Sequence, residues 1–329
     1  MKKLLVVGCG SIGERHIRCL RSVGGVEIWA CDPRPERLQQ MRKLYQVAGG
    51  VRTMEEAPLA DFDAALICTP TDQHIPQARA AAEAGCHVFV EKPISTTLEG
   101  VQELIALCQN TGRVLQVGYV FRHHPMLHEA KALVDSGVIG PVHLAAIKVG
   151  SFIGKYRPDY AQLYWAHAHT GGGVLMDATH QVDYIQWMLG PIRRVAARRR
   201  HYVIDVDPDV EDAACLLFEF TNGAMAVANF NNFQPNYKHT LELNGPRGSI
   251  EWSYVENELR VYEERDRSWR THSQEWERDD FYVNQMRNFL AATDGTERPA
   301  VTGEDGLRTL RVALAARMAA DSGEWVVVE

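Results

Sequence analysis

Close cysteine pairs are missing from this chain of 329 residues: its seven thiols, at positions 9, 19, 31, 68, 86, 108 and 215, never come closer than ten residues apart. That spacing excludes a Cys-x-x-Cys metal knuckle and a compact disulfide framework. Most of the thiols lie in apolar runs, where a free cysteine behaves as a small hydrophobe, and a reducing cytoplasm is the expected compartment. Basic charge is also short. Lys and Arg number 35 against 42 Asp and Glu, a net charge of -7, which gives no global attraction to nucleic acid or to an anionic membrane. The arginines at 193, 194, 198, 199 and 200 fall on a strand-like segment that divides them between two faces, with Glu263, Glu264 and Asp266 to balance them. Long apolar runs are absent too. The run behind Met1-Lys2-Lys3 breaks at Gly8, and charges follow at Glu14 and Arg15. Neither a signal-peptide core of about 7–15 residues nor the roughly 18 residues of a membrane span is present. Low-complexity segments and internal repeats are lacking as well. What remains is an ordinary soluble composition, 46% hydrophobic and 23% charged, in a chain longer than the roughly 250–300 residues at which single cores stop growing. Two domains are expected.

The informative stretch is the N-terminus. Residues 4–7 are apolar, Gly8-Cys9-Gly10-Ser11-Ile12-Gly13 follows, and the pattern turns helical through Ile12, His16, Ile17 and Leu20. A strand, a G-x-G-x-x-G turn and a helix start in that order suit a dinucleotide pyrophosphate. Gly8 permits the tight turn, Gly10 lets the backbone approach the phosphates, and Gly13 lets helix and strand pack closely. Ser11 and Ile12 open the helix, whose N–H groups and positive dipole end face the anion. Asp32 ends a second apolar run at 26–31 and lies 19 residues past Gly13. An acid at an interval of about 20 binds the ribose hydroxyls and favours NAD by repelling a 2′-phosphate. Arg34 could instead receive that phosphate, so NADP stays open.

Strand-like and helix-like segments then alternate to about residue 120. Helices read at 35–44, 75–84 (closed by Gly85) and 98–108; strands read at 63–68, 86–90 and 114–120. Near-continuous apolar strands alternating with helices imply a parallel sheet covered on both faces, whose ligands bind at the carboxyl ends of the strands. Thr69-Pro70, Glu91-Lys92-Pro93 and Gly118-Tyr119 therefore point to one crevice. A lysine at the end of a buried strand suits proton or alkoxide chemistry, because desolvation lowers its pKa; the plainer alternative is an ion pair with Glu91 or Asp177. His74, at its helix start, either touches a ligand or caps.

The glycine turn, Cys68-Thr69-Pro70 with His74, Ala84-Gly85 and Glu91-Lys92-Pro93 resemble the glucose–fructose oxidoreductase/inositol dehydrogenase/rhizopine catabolism (Gfo/Idh/MocA) family. The resemblance continues through Gly118, Arg122 and Gly137-Val138-Ile139-Gly140 and covers essentially the whole chain. It implies a nicotinamide-dependent dehydrogenase of α/β class, with a doubly wound Rossmann sheet at 1–120 and an α+β substrate domain at 121–329.

Past residue 120 a helix at 125–136 precedes strands at 142–152, 193–204, 212–220, 224–233, 239–243, 248–252 and 258–262, with turns at 221–224 and 244–248. Strands joined by tight turns form a large, mostly antiparallel open sheet with one face available. In the resembling family that face commonly packs against another subunit, so a homodimer or homotetramer is expected. Helices near 279–293 and 304–321 end the chain and, as in the family, pack back on the sheet or the nucleotide domain.

Between the first two of these strands lies Gly171-Gly172-Gly173, then an apolar spacing that is helical from Val174 to Leu189. Asp177, His180 and Tyr184 fall on one face of it. A carboxylate there can orient an imidazole, which titrates near neutral pH and suits removal of a hydroxyl proton; the alternative is a buried helix with an Asp–His pair. The resemblance implies that Lys92, Asp177 and His180 form the catalytic group. The family's usual aspartate-to-histidine interval is four residues and here it is three, so Asp183 stands beside the favoured Asp177 as a partner for His180. The preceding loop, with Tyr156, Trp165, His167 and His169, mixes aromatic and hydrogen-bonding groups as a polyhydroxylated ligand requires, and Tyr119 and Arg122 join it as substrate contacts. His167, His169 and His180 lack the carboxylate or thiolate partners of a metal site, and no metal is expected. The reading is an NAD(P)-dependent dehydrogenase of a sugar, inositol or related polyol, with Lys92 meeting His180 across the nicotinamide. On the same fold, an NAD(P)-binding sensor or scaffold without turnover, or a C=N or C=C reductase, are the alternatives.

Overall fold

The apolar runs become strands in the computed structural model, which describes residues 1–155, 159–162 and 164–329. Lys2–Val7 (β1), Val26–Cys31 (β2), Gly49–Val51 (β3), Ala64–Ile67 (β4), His87–Val90 (β5) and Leu115–Val117 (β6) form a sheet in the order β3-β2-β1-β4-β5-β6. Every neighbouring pair in it is parallel. Parallel neighbours need crossovers, and Ser11–Val23 (α1), Pro35–Tyr45 (α2), His74–Glu83 (α3) and Val101–Asn110 (α4) supply helical ones. The strand order reverses between β1 and β4, the switch point at whose carboxyl edge ligands bind in such sheets. Two bounds differ from the sequence pattern by three residues. The fourth helix begins at Val101 rather than near 98, because Gly100 in front of it is left-handed at φ +73. The last strand ends at Val117 rather than 120, where the chain tightens into a 3-10 turn, Val120–His123.

The chain divides into two compact units, Met1–His123 with Glu277–Leu307, and His124–Trp276 with Arg308–Glu329. The sequence pattern puts the boundary at 120, with the closing helices packing back on the sheet or the nucleotide domain; here 277–307 counts with the parallel sheet. Packing explains this. Asp279 pairs with Arg15 and Arg18 of α1 at 3.3 and 2.7 Å, Phe289 meets Phe89 edge-on with ring centroids 5.6 Å apart, and the Val301 carbonyl accepts the Val117 N–H at 3.1 Å.

In the second unit Pro125–Ser136 (α5) and Leu144–Phe152 (β7) precede Val174–Asp177 (α6) and Thr179–Leu189 (α7). Ile192–Arg200 (β8), Ala213–Phe220 (β9), Met225–Asn231 (β10), Phe233–Gly245 (β11), Gly248–Ser253 (β12), Glu258–Glu263 (β13) and Ser268–Ser273 (β14) follow. Arg278–Thr293 (α8), which counts with the first unit, comes next, and Gly303–Ser322 (α9) and Val326–Val327 (β15) close the chain. Among the described residues these strands order as β14-β13-β12-β11-β7-β10-β9-β8-β15, antiparallel except where β10 runs parallel to β7. Burial alternates along β9 and β10, the mark of a sheet with one covered and one open face. Phe218, Phe230 and Trp252 are buried on the covered face, while Leu217, Met225 and Val227 are about half exposed.

Four readings of this half change. The strand expected to reach 204 stops at Arg200, because the Asp212 carboxylate accepts the N–H groups of Tyr202, Val203 and Ile204 at 2.9, 2.7 and 3.0 Å and turns the chain off the ladder. The strand expected at 239–243 extends over Phe233–Gly245 through a register shift between Phe233 and Lys238. The strands β14 and β15 carry no readable pattern: the first is exposed at every position and the second has two residues. The single helix expected from Val174 to Leu189 breaks at Ala178, whose ψ of 14 leaves the α-helical range.

Candidate active site

The N-terminal turn has the shape a pyrophosphate needs. Gly8 adopts φ +89, and a Cβ on it would lie 2.7 Å from the Cys68 carbonyl oxygen. A Cβ on Gly13 would overlap the Gly8 carbonyl oxygen, so α1 approaches the turn this closely only with glycine. On Gly10 a Cβ would meet nothing within 4 Å, which leaves space at the start of α1, where no side chain caps the helix. Ser11 and Ile12 bring the first helical N–H groups to that space, a ready anion site.

Asp32 and Arg34, which pull the sequence reading toward NAD and NADP respectively, form a pair. Arg34 donates from Nε and Nη2 to the two carboxylate oxygens at 2.9 and 3.0 Å, and the Cys9 N–H donates to Oδ2 at 2.8 Å. Burial opposes charge on Asp32, but Arg34 and the two backbone N–H groups of Arg34 and Cys9 outweigh it and hold the carboxyl below its usual range. Burial, with Asp32 nearby, pushes the Cys9 thiol up to about 12, so this cysteine in the glycine turn is no nucleophile.

Thr69-Pro70 leaves the end of β4 and Glu91-Lys92-Pro93 the end of β5, on the same edge as the glycine turn. His74 is buried and ties the two exits together, Nδ1 lying 2.9 Å from the Pro93 carbonyl and Nε2 3.0 Å from the Thr69 carbonyl. Burial lowers its pKa, against the pull of those carbonyls. Glu91 is also buried. Its Oε1 lies 2.6 Å from His16 Nε2, and its Oε2 accepts the Lys92 backbone N–H at 3.1 Å. Gly118 leaves room for that carboxylate, which would stand 2.9 Å from a Cβ. The half-buried Lys92 therefore projects from a backbone held on both sides, with a cis bond to Pro93. Tyr119 is fully buried, and Arg122, also buried, pairs with Asp305 at 3.4 Å.

In the second unit Asp177 ends α6 and is exposed, and His180 is half-buried in the first turn of α7, with the Ala178 break between them. Asp183 is fully buried. Tyr184, expected beside His180, is buried with its hydroxyl 3.2 Å from His239 Nε2 on the sheet. Trp165 stacks on Tyr160 with centroids 6.0 Å apart, and its buried indole N–H has no hydrogen-bond partner among the described residues. The half-buried His167 receives the Gly172 N–H on its carbonyl at 3.0 Å. Tyr156 lies outside the described residues.

Two family models match the chain: residues 2–119 fit the oxidoreductase family with an NAD-binding Rossmann fold, and residues 127–251 fit the GFO/IDH/MocA C-terminal domain. Inositol 2-dehydrogenase 3 of Saccharopolyspora erythraea is 32% identical over 263 residues, 74% of this chain and 71% of that one. The chain belongs to the GFO/IDH/MocA oxidoreductase family. Myo-inositol 2-dehydrogenase of Thermotoga maritima is 28% identical over 98% of both chains. Levoglucosan dehydrogenase, solved in complex with NADH and L-sorbose, shares the fold at a TM-score of 0.90 and 21% identity, over 100% of this chain and 99% of that one.

In this GFO/IDH/MocA protein the sequence left two supports unread. His16, three residues past the last glycine of the fingerprint, steadies Glu91. Glu211, the first of the acidic pair Glu211-Asp212 that opens a strand, holds the start of α6 through the Leu175 N–H at 3.0 Å. Both signals are in the sequence, but only the fold shows what lies opposite them.

Proposed function

We propose that this GFO/IDH/MocA oxidoreductase oxidises a secondary alcohol of an inositol, sugar or related polyol with NAD as hydride acceptor. The observation that carries the reading is the braced presentation of Lys92 on the sheet edge that also bears the open glycine turn. The turn at Gly8 to Gly13 would hold the pyrophosphate, and Asp32, with Arg34 against it, the adenosine ribose. A nicotinamide bound there would supply the hydride acceptor for the carbinol carbon. His180 takes the hydroxyl proton, Asp177 orients the imidazole, and Lys92 stabilises the developing alkoxide. The buried indole N–H of Trp165 is a donor that a substrate hydroxyl would satisfy. Inositols come first among candidate substrates because the curated relatives named above act on them.

No helix among the described residues is long and apolar enough to cross a membrane. All seven cysteines are free thiols, which supports a reducing cytoplasm. Two copies would pair through the open sheet face, where Leu217, Val227 and Trp325 line a hollow of about 730 Å³; an apolar area of that kind is ordinarily covered. Light scattering behind a sizing column checks this, with Val227→Glu expected to give a smaller species.

The decisive experiment is a nicotinamide-absorbance screen of myo-inositol, scyllo-inositol, D-glucose, levoglucosan and L-sorbose with NAD and NADP. Lys92→Ala and His180→Ala should each lower turnover by about 10²–10⁴-fold, the range of a lost acid–base group, with NADH affinity nearly unchanged. Wild-type turnover in both variants would remove the assigned roles.

A further inference from the structure

We infer that Glu211 is a positioning residue for the reaction: it fixes the turn that carries Asp177 and leads into His180. The inference rests on the roles given to those two residues above. A single helical turn does not hold its shape in water, because nucleation fixes several dihedrals for one hydrogen bond. Here α6 has four residues and follows three glycines, the loosest lead-in a chain can have. Its shape must come from outside.

Glu211 supplies it twice. Its main-chain oxygen accepts the Val174 N–H and its carboxylate Oε1 the Leu175 N–H, both at 3.0 Å. These are the first two N–H groups of α6, which have no partner inside a helix. The carboxylate is itself held. Its side chain is 3% exposed, Oε2 meets Arg199 Nη1 at 2.9 Å, and Arg199 Nη2 reaches Asp321 at 2.9 Å. Arg317 Nη2 donates to the Gly172 carbonyl at 2.6 Å and fastens the glycine lead-in. Gly173, at φ +107, completes the fit, since a Cβ there would overlap the Glu211 carboxylate. Next in the chain, Asp212 anchors its own loop through three N–H groups, so Glu211 stands on a fixed base. Movement of α6 would carry Asp177 with it and change the entry into α7, where His180 sits.

The test compares Glu211→Ala and Glu211→Gln with wild type on the polyol turned over fastest in the screen above. A misplacement of about 1 Å can cost about 10² in rate, so kcat should fall about 10²-fold in Glu211→Ala. In Glu211→Gln, which keeps an acceptor for Leu175 but loses the Arg199 ion pair, the fall should be about 10-fold, within the 10–100-fold range of lost outer supports. NADH affinity, read by fluorescence, should stay within about twofold, because Glu211 lies outside the Rossmann unit. The acid limb of the kcat/KM profile, which reports the base, should move, a change that simple destabilisation does not produce. Hydrogen exchange should quicken at amides 174–180 in Glu211→Ala and remain unchanged in β9 and β10. Wild-type kcat, pH profile and exchange in Glu211→Ala would overturn the inference. If the wild-type protein turns over none of the polyols, the functional reading falls instead, and exchange at 174–180 still decides whether Glu211 holds the turn.

Discussion

At the scale of single residues, cofactor choice comes down to one carboxylate and its guanidinium. Arg34 lies across Asp32 with both oxygens engaged, so the charge a 2′-phosphate would meet is partly neutralised. Removing the acid frees the cation. Asp32→Ala should raise the NADP-to-NAD ratio of kcat/KM by about tenfold or more, since each 1.4 kcal/mol is a factor of ten, while Arg34→Ala should lower it. Steady-state rates with both cofactors give the ratio, and an unchanged ratio in both variants would detach this pair from selectivity. The sequence showed both residues but as competitors, because spacing says which groups are near in the chain and nothing about which touch. The same limit hid His16 and Glu211. Their partners, Glu91 and Leu175, are 75 and 36 residues away.

Elements were legible where their pattern was strong and blurred where a tertiary partner set the end. The strands β1, β2, β4 and β5 are apolar runs in a sheet buried on both faces, and no other structure hides such runs as well. By contrast, β14 is exposed at all its positions and leaves no alternation to read. The start of α6 and the early end of β8 are held by Glu211 and Asp212, residues outside the elements they shape. The glycine turn separates two functions of one element. Gly13→Ala should lower both the melting temperature and NADH affinity, because the added methyl meets the Gly8 carbonyl, and overpacking of that kind costs about 1–3 kcal/mol. Gly10→Ala should leave the melting temperature in place, since its methyl meets no protein atom within 4 Å, yet weaken NADH binding by at least about tenfold. Thermal melts and NADH fluorescence on the two variants check the contrast, and equal behaviour would show that the space above Gly10 is not where the cofactor lies.

For the molecule as a whole, the second unit carries a response to acid. His124 and His239 lie under the sheet's aromatic layer, with ring centroids 5.2 and 4.9 Å from Trp252. Burial, and then the charge of a neighbouring histidine, brings His124 down to about 4 and His239 to about 3. His239 Nε2 lies 3.3 Å from the Gln181 amide nitrogen, which can only donate, and 3.2 Å from the Tyr184 hydroxyl, an arrangement that suits the neutral ring. The unfolded chain, whose histidines titrate near 6.5, binds more protons than the folded one between that value and the folded ones. Stability from both rings is therefore complete above about pH 6.5 and is lost as pH falls toward 4 and 3, by about 1.4 kcal/mol per pH unit for each. From pH 7.5 to 5.0 the pair should cost about 4 kcal/mol. Urea unfolding followed by tryptophan fluorescence at the two pH values measures the loss, and His239→Gln isolates one ring by removing about half of it. An undiminished pH dependence in that variant would mean that His239 is protonated in the folded protein at pH 5.0, and the acid response would have to come from His124, the buried His74 and other groups.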